Sequence, residues 1–256
     1  MYQRVSETVD MSTIAERTHA MPVVVFANQT LDRGYHFNPR TMSDEDKDFV
    51  FRSVYPVGLE AFSQNASEGM ENDIADHIFN TDNLLVIRSD GTIKFGSMEI
   101  GVPRPIAFCV WQTYDLPIGR ALYISGVCVN PSWQGRGIGR AMQQYAYAYE
   151  SLDGKRVDYA FMSTQNAVEK LSFDRAFMVK SFPKHNVADV HQHGQMFAHV
   201  RGLTNYDHKD MRLKRHYGGS SLYGVLPKCE NGAYEALFER LDRSVGDAYL
   251  CVTPKL

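Results

Sequence analysis

Residues 134–140, QGRGIGR, are the stretch of this 256-residue sequence whose residue types and spacing most plainly suit chemistry. Gly135, Gly137 and Gly139 alternate with Arg136, Ile138 and Arg140, just ahead of a segment with helical apolar spacing. Glycines let a backbone approach a ligand closely, and the first N–H groups of a helix point outward without intrahelical partners. The helix dipole adds favour for negative charge, so the natural ligand of such a turn is a phosphate or pyrophosphate. No Gly-Lys-Ser/Thr follows, which sets aside a P-loop, and the third glycine of a GxGxxG dinucleotide turn is missing. A plain strand-to-helix turn seldom needs three glycines flanked by arginines, so the anion cradle is the preferred reading.

Two elements must hold that turn. ALYISGVCV, 121–129, reads as the strand entering it. The helix leaving it runs from about Gly137 to Glu150, where Ile138, Ala141, Met142, Tyr145, Ala148 and Tyr149 recur at three- and four-residue steps as one apolar stripe. That stripe belongs against a sheet, which leaves the helix N-terminus free for an anion.

The string VCVNPSWQGRGIG resembles the acyl-CoA signature of the GNAT acyltransferase superfamily. The signature Q/R-x-x-G-x-G/A falls on Gln134, Gly135, Arg136, Gly137, Ile138 and Gly139, after a strand ending V-x-V-x-P at Val127, Val129 and Pro131. A second resemblance follows in TQNAVEKLSFDRAF. Asn166 matches the family's Asn, while Leu171 and Phe177 match its L-Y-x-x-x-G-F, with Ser172 at the Tyr position and Ala176 at the Gly position. The resemblance implies acetyl-CoA as co-substrate, no metal, and acetyl transfer to an amine by direct attack in a ternary complex. It implies cofactor contacts from Val127, Val129, residues 134–140 and Asn166. It also implies an oxyanion donor in the Val129 backbone N–H. The family's Tyr commonly protonates the departing thiolate; Ser172 is a shorter and poorer acid for that task.

The base is less determined. Glu99 lies between two strands on the side where family substrates enter. Tyr123 shares a strand face with Val127 and Val129 if no bulge intervenes. Asp115 sits at a strand end. His185, His191, His193 and His199 cluster in KHNVADVHQHGQMFAH, where His191 and His193 would share a face of a closing strand. A metal pair is one reading of them; a substrate-side or base role for one, or plain solvated loop histidines, are the others. In RGLTNYDHKDMRLKRHY, five basic residues (Arg201, Lys209, Arg212, Lys214, Arg215) stand against Asp207 and Asp210. A solvated helix face is the simple account; contact with the CoA 3′-phosphate or an RNA acceptor is the functional one.

The rest of the chain supplies the frame. VVVFA, GYHFNPR, LLVIRSDGTIKF (a hairpin about Asp90-Gly91), PIAFCVWQTY, VDYAFMST, FMVKSF, QMFAHVRGL and AYLCVTP read as strands or hairpins. SDEDKDFVFRSVYPVGLEAFSQ reads as a helix capped by Ser43 and broken near Pro56 and Gly58. ENDIADHIFN, NAVEKLSFDRA and AYEALFERLD read as further helices. The fold class is α/β: a GNAT-like mixed, mostly antiparallel sheet flanked by helices. Residues 1–202 form the acyltransferase domain with a short N-terminal arm, and 203–256 a C-terminal α/β extension packed on it.

Lys plus Arg total 27 against 30 Asp plus Glu, a net charge of -3 that argues against generic polyanion binding. No apolar run approaches a membrane span and the N-terminus has no h-region. Cys109, Cys128, Cys229 and Cys251 lack metal spacing, so a cytoplasmic protein with reduced thiols is expected. The expected partner is a small-molecule or peptide amine, without a membrane; a homodimeric second copy stays open, as does a nucleic acid, which the net charge disfavours. Two alternatives stand beside N-acetylation: acylation of an aminoacyl-tRNA, testable by salt-sensitive tRNA binding, and a non-catalytic acyl-CoA sensor, which would bind acetyl-CoA without turnover.

Overall fold

The computed structural model describes residues 11–27, 30–64, 68–89, 92–95, 98–101, 103–183, 188–217 and 220–256. The elements in chain order are α1 (Met11–Arg17), β1 (Met21–Ala27), β2 (Thr30–Phe37), α2 (Asp44–Phe62), α3 (Glu68–Phe79), β3 (Asn83–Ser89), β4 (Thr92–Phe95), β5 (Met98–Gly101), β6 (Arg104–Leu116) and β7 (Gly119–Val129). They continue as α4 (Ile138–Glu150), β8 (Tyr159–Thr164), α5 (Ala167–Ala176), α6 (Ala188–Arg201), β9 (Tyr206–Asp207), β10 (Arg212–Leu213), α7 (Gly232–Phe238) and β11 (Ala248–Val252). Nine strands form one sheet in the order β1-β2-β3-β6-β7-β8-β11-β10-β9, and β4 pairs with β5 apart from it. Every pairing in the large sheet is antiparallel except β7 with β8. This is the mixed, mostly antiparallel sheet the resemblance implies.

Alternation sends the strands' side chains into two cores. On one face Leu85, Cys109, Trp111, Leu122 and Ile124 pack against Ile138, Ala141, Met142 and Ala146 of α4 and Phe173 of α5. On the other, Leu84, Val86, Phe108 and Val110 pack against Val50, Val54 and Val57 of α2 and Ile74 and Ile78 of α3. The stripe predicted for α4 is core at Ile138, Ala141 and Met142; Tyr145 and Tyr149 are half-buried, Ala148 is exposed, and Ala146 is buried in its place.

Several elements differ from expectation. Pro56 lies inside α2, which runs unbroken: Ser43 caps its start and Val50, Val54, Val57 and Ala61 bury one continuous stripe. That burial outweighs the single backbone bond that proline removes. Gly58 lets α3 come close, since a Cβ there would stand 2.8 Å from Ile74 Cδ1. β4 pairs with β5 and does not return on β3. FMVKSF is not a strand; only Phe182 makes an isolated bridge, to Val252. QMFAHVRGL lies in helix α6, whose buried Val190, Gly194, Phe197 and Ala198 follow the helical period. Beyond Arg201, which ends α6, the basic run holds two short strands, β9 and β10, and no helix.

Residues 203–256 feed the same sheet. β11 pairs with β8 along Phe161–Thr164, and β9 and β10 extend the sheet beyond it. A buried ion pair fastens the region. Lys170 Nζ donates to Asp174 Oδ1 and Oδ2 at 2.8 and 2.9 Å and to Ser181, while Tyr234 of α7 donates to Asp174 Oδ2 at 2.7 Å. Among the described residues no helix is long and apolar enough to cross a membrane.

Candidate active site

The parallel pair β7 and β8 is in register only from Ala121–Tyr159 to Ile124–Met162. Beyond that the strands part, and the half of β7 holding Val127 and Val129 keeps β6 alone as a neighbour. Asn130 N–H donates to Ile106 O of β6 at 2.8 Å. Successive backbone groups alternate sides along a strand, so the Val129 N–H and C=O both turn toward the gap that β8 has left. Gln134 Nε2 occupies that carbonyl at 2.9 Å, tying the glycine turn back onto the strand end.

The turn then enters α4 on Gly137, an N-cap at φ 83° with no side-chain cap, and Gly135 has φ 75°. Both are left-handed conformations that a Cβ resists. The first-turn N–H groups of α4 thus meet no capping side chain. Gly139 differs: a Cβ there would lie 3.5 Å from Val127 Cγ1 and 3.7 Å from both Val129 Cγ2 and Ser172 Oγ. Its value is space, in a cradle a side chain would start to fill.

A cavity of about 230 Å³ opens at this point. Val127, Val129, Gln134, Gly135, Gly137, Ile138, Gly139, Arg140, Asn166 and Ser172 all line it, joined by Trp133, Glu169, Arg175, Tyr223 and Pro227. Of the expected cofactor contacts only Arg136 lies outside the lining. Its guanidinium stacks over Trp133 at 4.5 Å and donates to Ser132 O at 3.2 Å. Asn166 caps α5, its Oδ1 accepting from Val168 N–H at 2.8 Å. Ser172, half-buried, has its Oγ 3.4 Å from Gln143 Nε2.

A second cavity of about 60 Å³ lies in the gap between β7 and β8, on the α2–α3 side. Asp73, His77, Ser125, Ser163, Thr164 and Tyr217 line it, and Phe62, Val127, Glu169 and Tyr223 line both cavities. His77 Nδ1–H donates to Asp73 O at 2.8 Å, which presents Nε2 as the acceptor of the neutral ring.

Glu169 carries the most telling electrostatics. Desolvation pushes its carboxyl up to about 7, against the opposing hydrogen bond from Gln143 Nε2 at 2.9 Å. Tyr223, whose OH accepts from Asn166 Nδ2 at 3.3 Å, is raised by burial.

Other expected residues lie elsewhere. Tyr123 faces away from Val127 and Val129, because a β-bulge at Ser125 (Val110 opposes Gly126, Trp111 opposes Ile124) shifts the alternation by one. Its ring packs on Phe197, its hydroxyl sits 3.3 Å from Ser163 Oγ, and burial raises its pKa. Glu99 falls on β5, where the side chains lie outside the described residues, as does His185. Asp115 opposes Arg120 at the far end of β6. His191 and His193 sit on helix α6 and not on a strand. A two-residue step on a helix turns them to different sides, toward the rings of Phe182 and Tyr159 respectively. Among the described residues no group of three or more His, Cys, Asp or Glu is placed to hold a metal. Lys214 pairs with Asp207 at 2.9 Å and Arg212 with Asp210 at 2.6 Å, while Arg201 lies over Tyr123.

Residues 56–170, spanning the parted strands, the glycine turn and the start of α5, match the family model of the acetyltransferase (GNAT) family. The chain carries a GNAT acetyltransferase domain. With it comes the enzyme class of the family, an acyltransferase. A comparison with curated proteins finds no match. Among solved structures, the NatC complex bound to Gag peptide and CoA aligns over 86% of this chain and 96% of its own, at 13% identity and a TM-score of 0.40. A putative arylalkylamine N-acetyltransferase 7 from the yellow fever mosquito aligns over 91% and 94%, at 8% identity and 0.42. A histone acetyltransferase HPA2-related protein from Corynebacterium glutamicum aligns over 87% and 97%, at 9% identity and 0.38. Likenesses this loose assign no substrate.

Among the lining residues that sequence reasoning missed are Arg175, Glu169, His77, Tyr217 and Tyr223. Glu169 had a signal, lying three residues before Ser172 and so on the same helix face. Tyr217 and Tyr223 had none, since only tertiary folding brings them across the gap.

Proposed function

We propose that the protein transfers an acetyl group from acetyl-CoA to a small-molecule or peptide amine, by direct attack in a ternary complex. The observation that carries this is the meeting of two cavities at the point where β7 and β8 part. The first has the features of a CoA site. Uncapped N–H groups of α4, with Arg140 and Arg175 nearby, suit a pyrophosphate, and Gly139 leaves room beside Val127. Acetyl-CoA would bring the thioester; the chain's own groups do the rest. The Val129 N–H faces the gap, where it would donate to the carbonyl oxygen as negative charge grows there. Ser172, which lines the same cavity, would hand a proton to the departing sulfur. The amine would approach through the second cavity, from the side of Asp73 and His77. No observation favours an RNA acceptor, for Arg212 and Lys214 are already paired with Asp210 and Asp207.

Calorimetry with acetyl-CoA and a CoA-release assay over a panel of primary amines test this. Wild type should bind and turn over, and Gly137→Glu should lose binding while keeping the wild-type circular dichroism. Equal binding by wild type and Gly137→Glu would place the cofactor elsewhere. Tight binding with no turnover of any amine in the panel would favour the sensor.

A further inference from the structure

We propose that Glu169 is the catalytic base of this acyltransferase, the carboxylate that takes the acceptor's proton where the two cavities join. The proposal rests on the function proposed above and adds the group that function lacks.

Its position is the first support. Glu169 is the one carboxylate among the residues lining both cavities, the others being Phe62, Val127 and Tyr223. It therefore reaches the space between a thioester beside Val127 and Val129 and an amine arriving past His77.

The second support is that its ordinary structural task is already done by another group. Glu169 is the third residue after the helix cap Asn166, the place where a Glu commonly reaches back to accept from the cap's own N–H. Here the Asn166 N–H instead donates to Thr164 Oγ1 at 3.0 Å. Glu169 is left to turn away from the cap, and its Oε1 accepts from Gln143 Nε2 across the helix pair α4–α5.

Gln143 is the third. It is fully buried, yet its Oε1 has no hydrogen-bond partner among the described residues. An amide offers a donor at one end and an acceptor at the other. Nε2 serves the ionised carboxylate, and a half-turn of the amide presents Oε1 to the protonated one. The site thus holds a partner for both protonation states.

The charged and titratable groups facing Glu169 are Arg140 and Arg175 in the first cavity, Asp73, His77, Cys128 and Tyr217 in the second, and Tyr223 in both, with the buried thiols of Cys109 and Cys251 close enough to feel its charge. Desolvation dominates over all of them, and a carboxyl held at about 7 suits proton exchange near neutral pH. The step balances. The amine nitrogen bonds to the carbonyl carbon, and the nitrogen's proton passes to Glu169. The carbon–sulfur bond breaks with its electron pair on sulfur, and the sulfur takes a proton through Ser172 or from solvent.

The test compares Glu169→Gln, which keeps shape and hydrogen bonding, with wild type and His77→Gln. Acetyl-CoA binding is measured by calorimetry and turnover over a primary-amine panel from pH 5.5 to 9. Wild-type kcat/KM should rise with pH through about 7 as the carboxylate forms. Glu169→Gln should bind acetyl-CoA as wild type does, lose roughly 10²- to 10⁴-fold in kcat and lose that rise. Turnover within about twofold of wild type, or a loss confined to His77→Gln, would overturn the proposal and leave the acetyltransferase reading standing. Failure of wild type to bind acetyl-CoA would instead sink the function itself. Should wild type bind but no amine turn over, carbon-13 titration of the glutamate carboxyls decides. A signal missing in Glu169→Gln that titrates near 7 and shifts with CoA supports the role; an ordinary carboxyl titration refutes it.

Discussion

Replacing Gly137 and Gly139 by alanine, one at a time, should move stability in opposite directions although the two lie two residues apart in one motif. At Gly137 the backbone holds φ 83°. Forcing an L-residue into that region costs about 1–2 kcal/mol. The stiffer unfolded chain returns about 0.4–1 kcal/mol. The net loss is about 1 kcal/mol. Gly139 sits in the first turn of α4, outside the left-handed region, and its added Cβ would meet neighbours at 3.5 Å or more, an ordinary contact. There the gain approaches the helix preference for alanine over glycine, up to about 1 kcal/mol. The variants should differ by about 2 kcal/mol, or about 4–8 °C in melting temperature for a chain of this size. Urea unfolding with unchanged m-values, alongside thermal melts, measures the gap. Equal stabilities, or Gly137→Ala as the more stable of the two, would refute the division into one glycine kept for conformation and one kept for space. Function follows the second use: Gly139→Leu should fold but lose acetyl-CoA binding, because its side chain would run between Val127 and Ser172.

Ser172→Ala should lower turnover with little change in acetyl-CoA affinity in calorimetry, and unchanged turnover would move the sulfur's proton donor to another group such as Tyr223. Asp174→Asn leaves the fully buried Lys170 without its counter-charge and should cost about 3–5 kcal/mol in urea unfolding. The paired change Lys170→Met with Asp174→Leu should cost much less. Burial lowers the His36 pKa to about 4, against the ordinary 6.5. The unfolded chain takes up that proton first, so stability present above pH 6.5 should drain away as pH falls toward 4, by about 3 kcal/mol in all. His36→Gln should flatten that part of the stability–pH curve, and an unchanged slope would refute the assignment.

What the sequence made legible is local. Residues 127–140 announce a strand, a turn and a helix through spacing alone, and the structure gathers all but Arg136 of that motif's expected contacts around one cavity. What stayed hidden depends on pairing. The bulge at Ser125 turns Tyr123 away, and nothing in ALYISGVCV marks it, because a bulge is defined by the partner strand. The period of Val190, Gly194, Phe197 and Ala198 is helical, yet a window beginning at Gln195 sees only a short apolar run that suits a strand as well. Pro56 reads as a breaker because propensity is local, while the stripe Val50, Val54 and Val57 that overrides it finds its partners in α3 and β6. Tyr223 stands 57 residues from the Asn166 it touches.

That last contact has a bearing on how the protein is made. β11 is the second neighbour of β8, and the segment bearing Tyr223 crosses from Gln165, whose Oε1 accepts from Leu222 N–H, to Phe62, whose carbonyl accepts from Gly224 N–H. A ribosome delivers β8 well before either. At about 5–20 residues per second the nascent chain spends several seconds with β8 paired on one side only and its other edge bare. The first cavity, already furnished with its glycine turn, lacks the wall of Tyr223 and Pro227 until those residues arrive. A product stalled after α5 would therefore display the motif without the complete cavity.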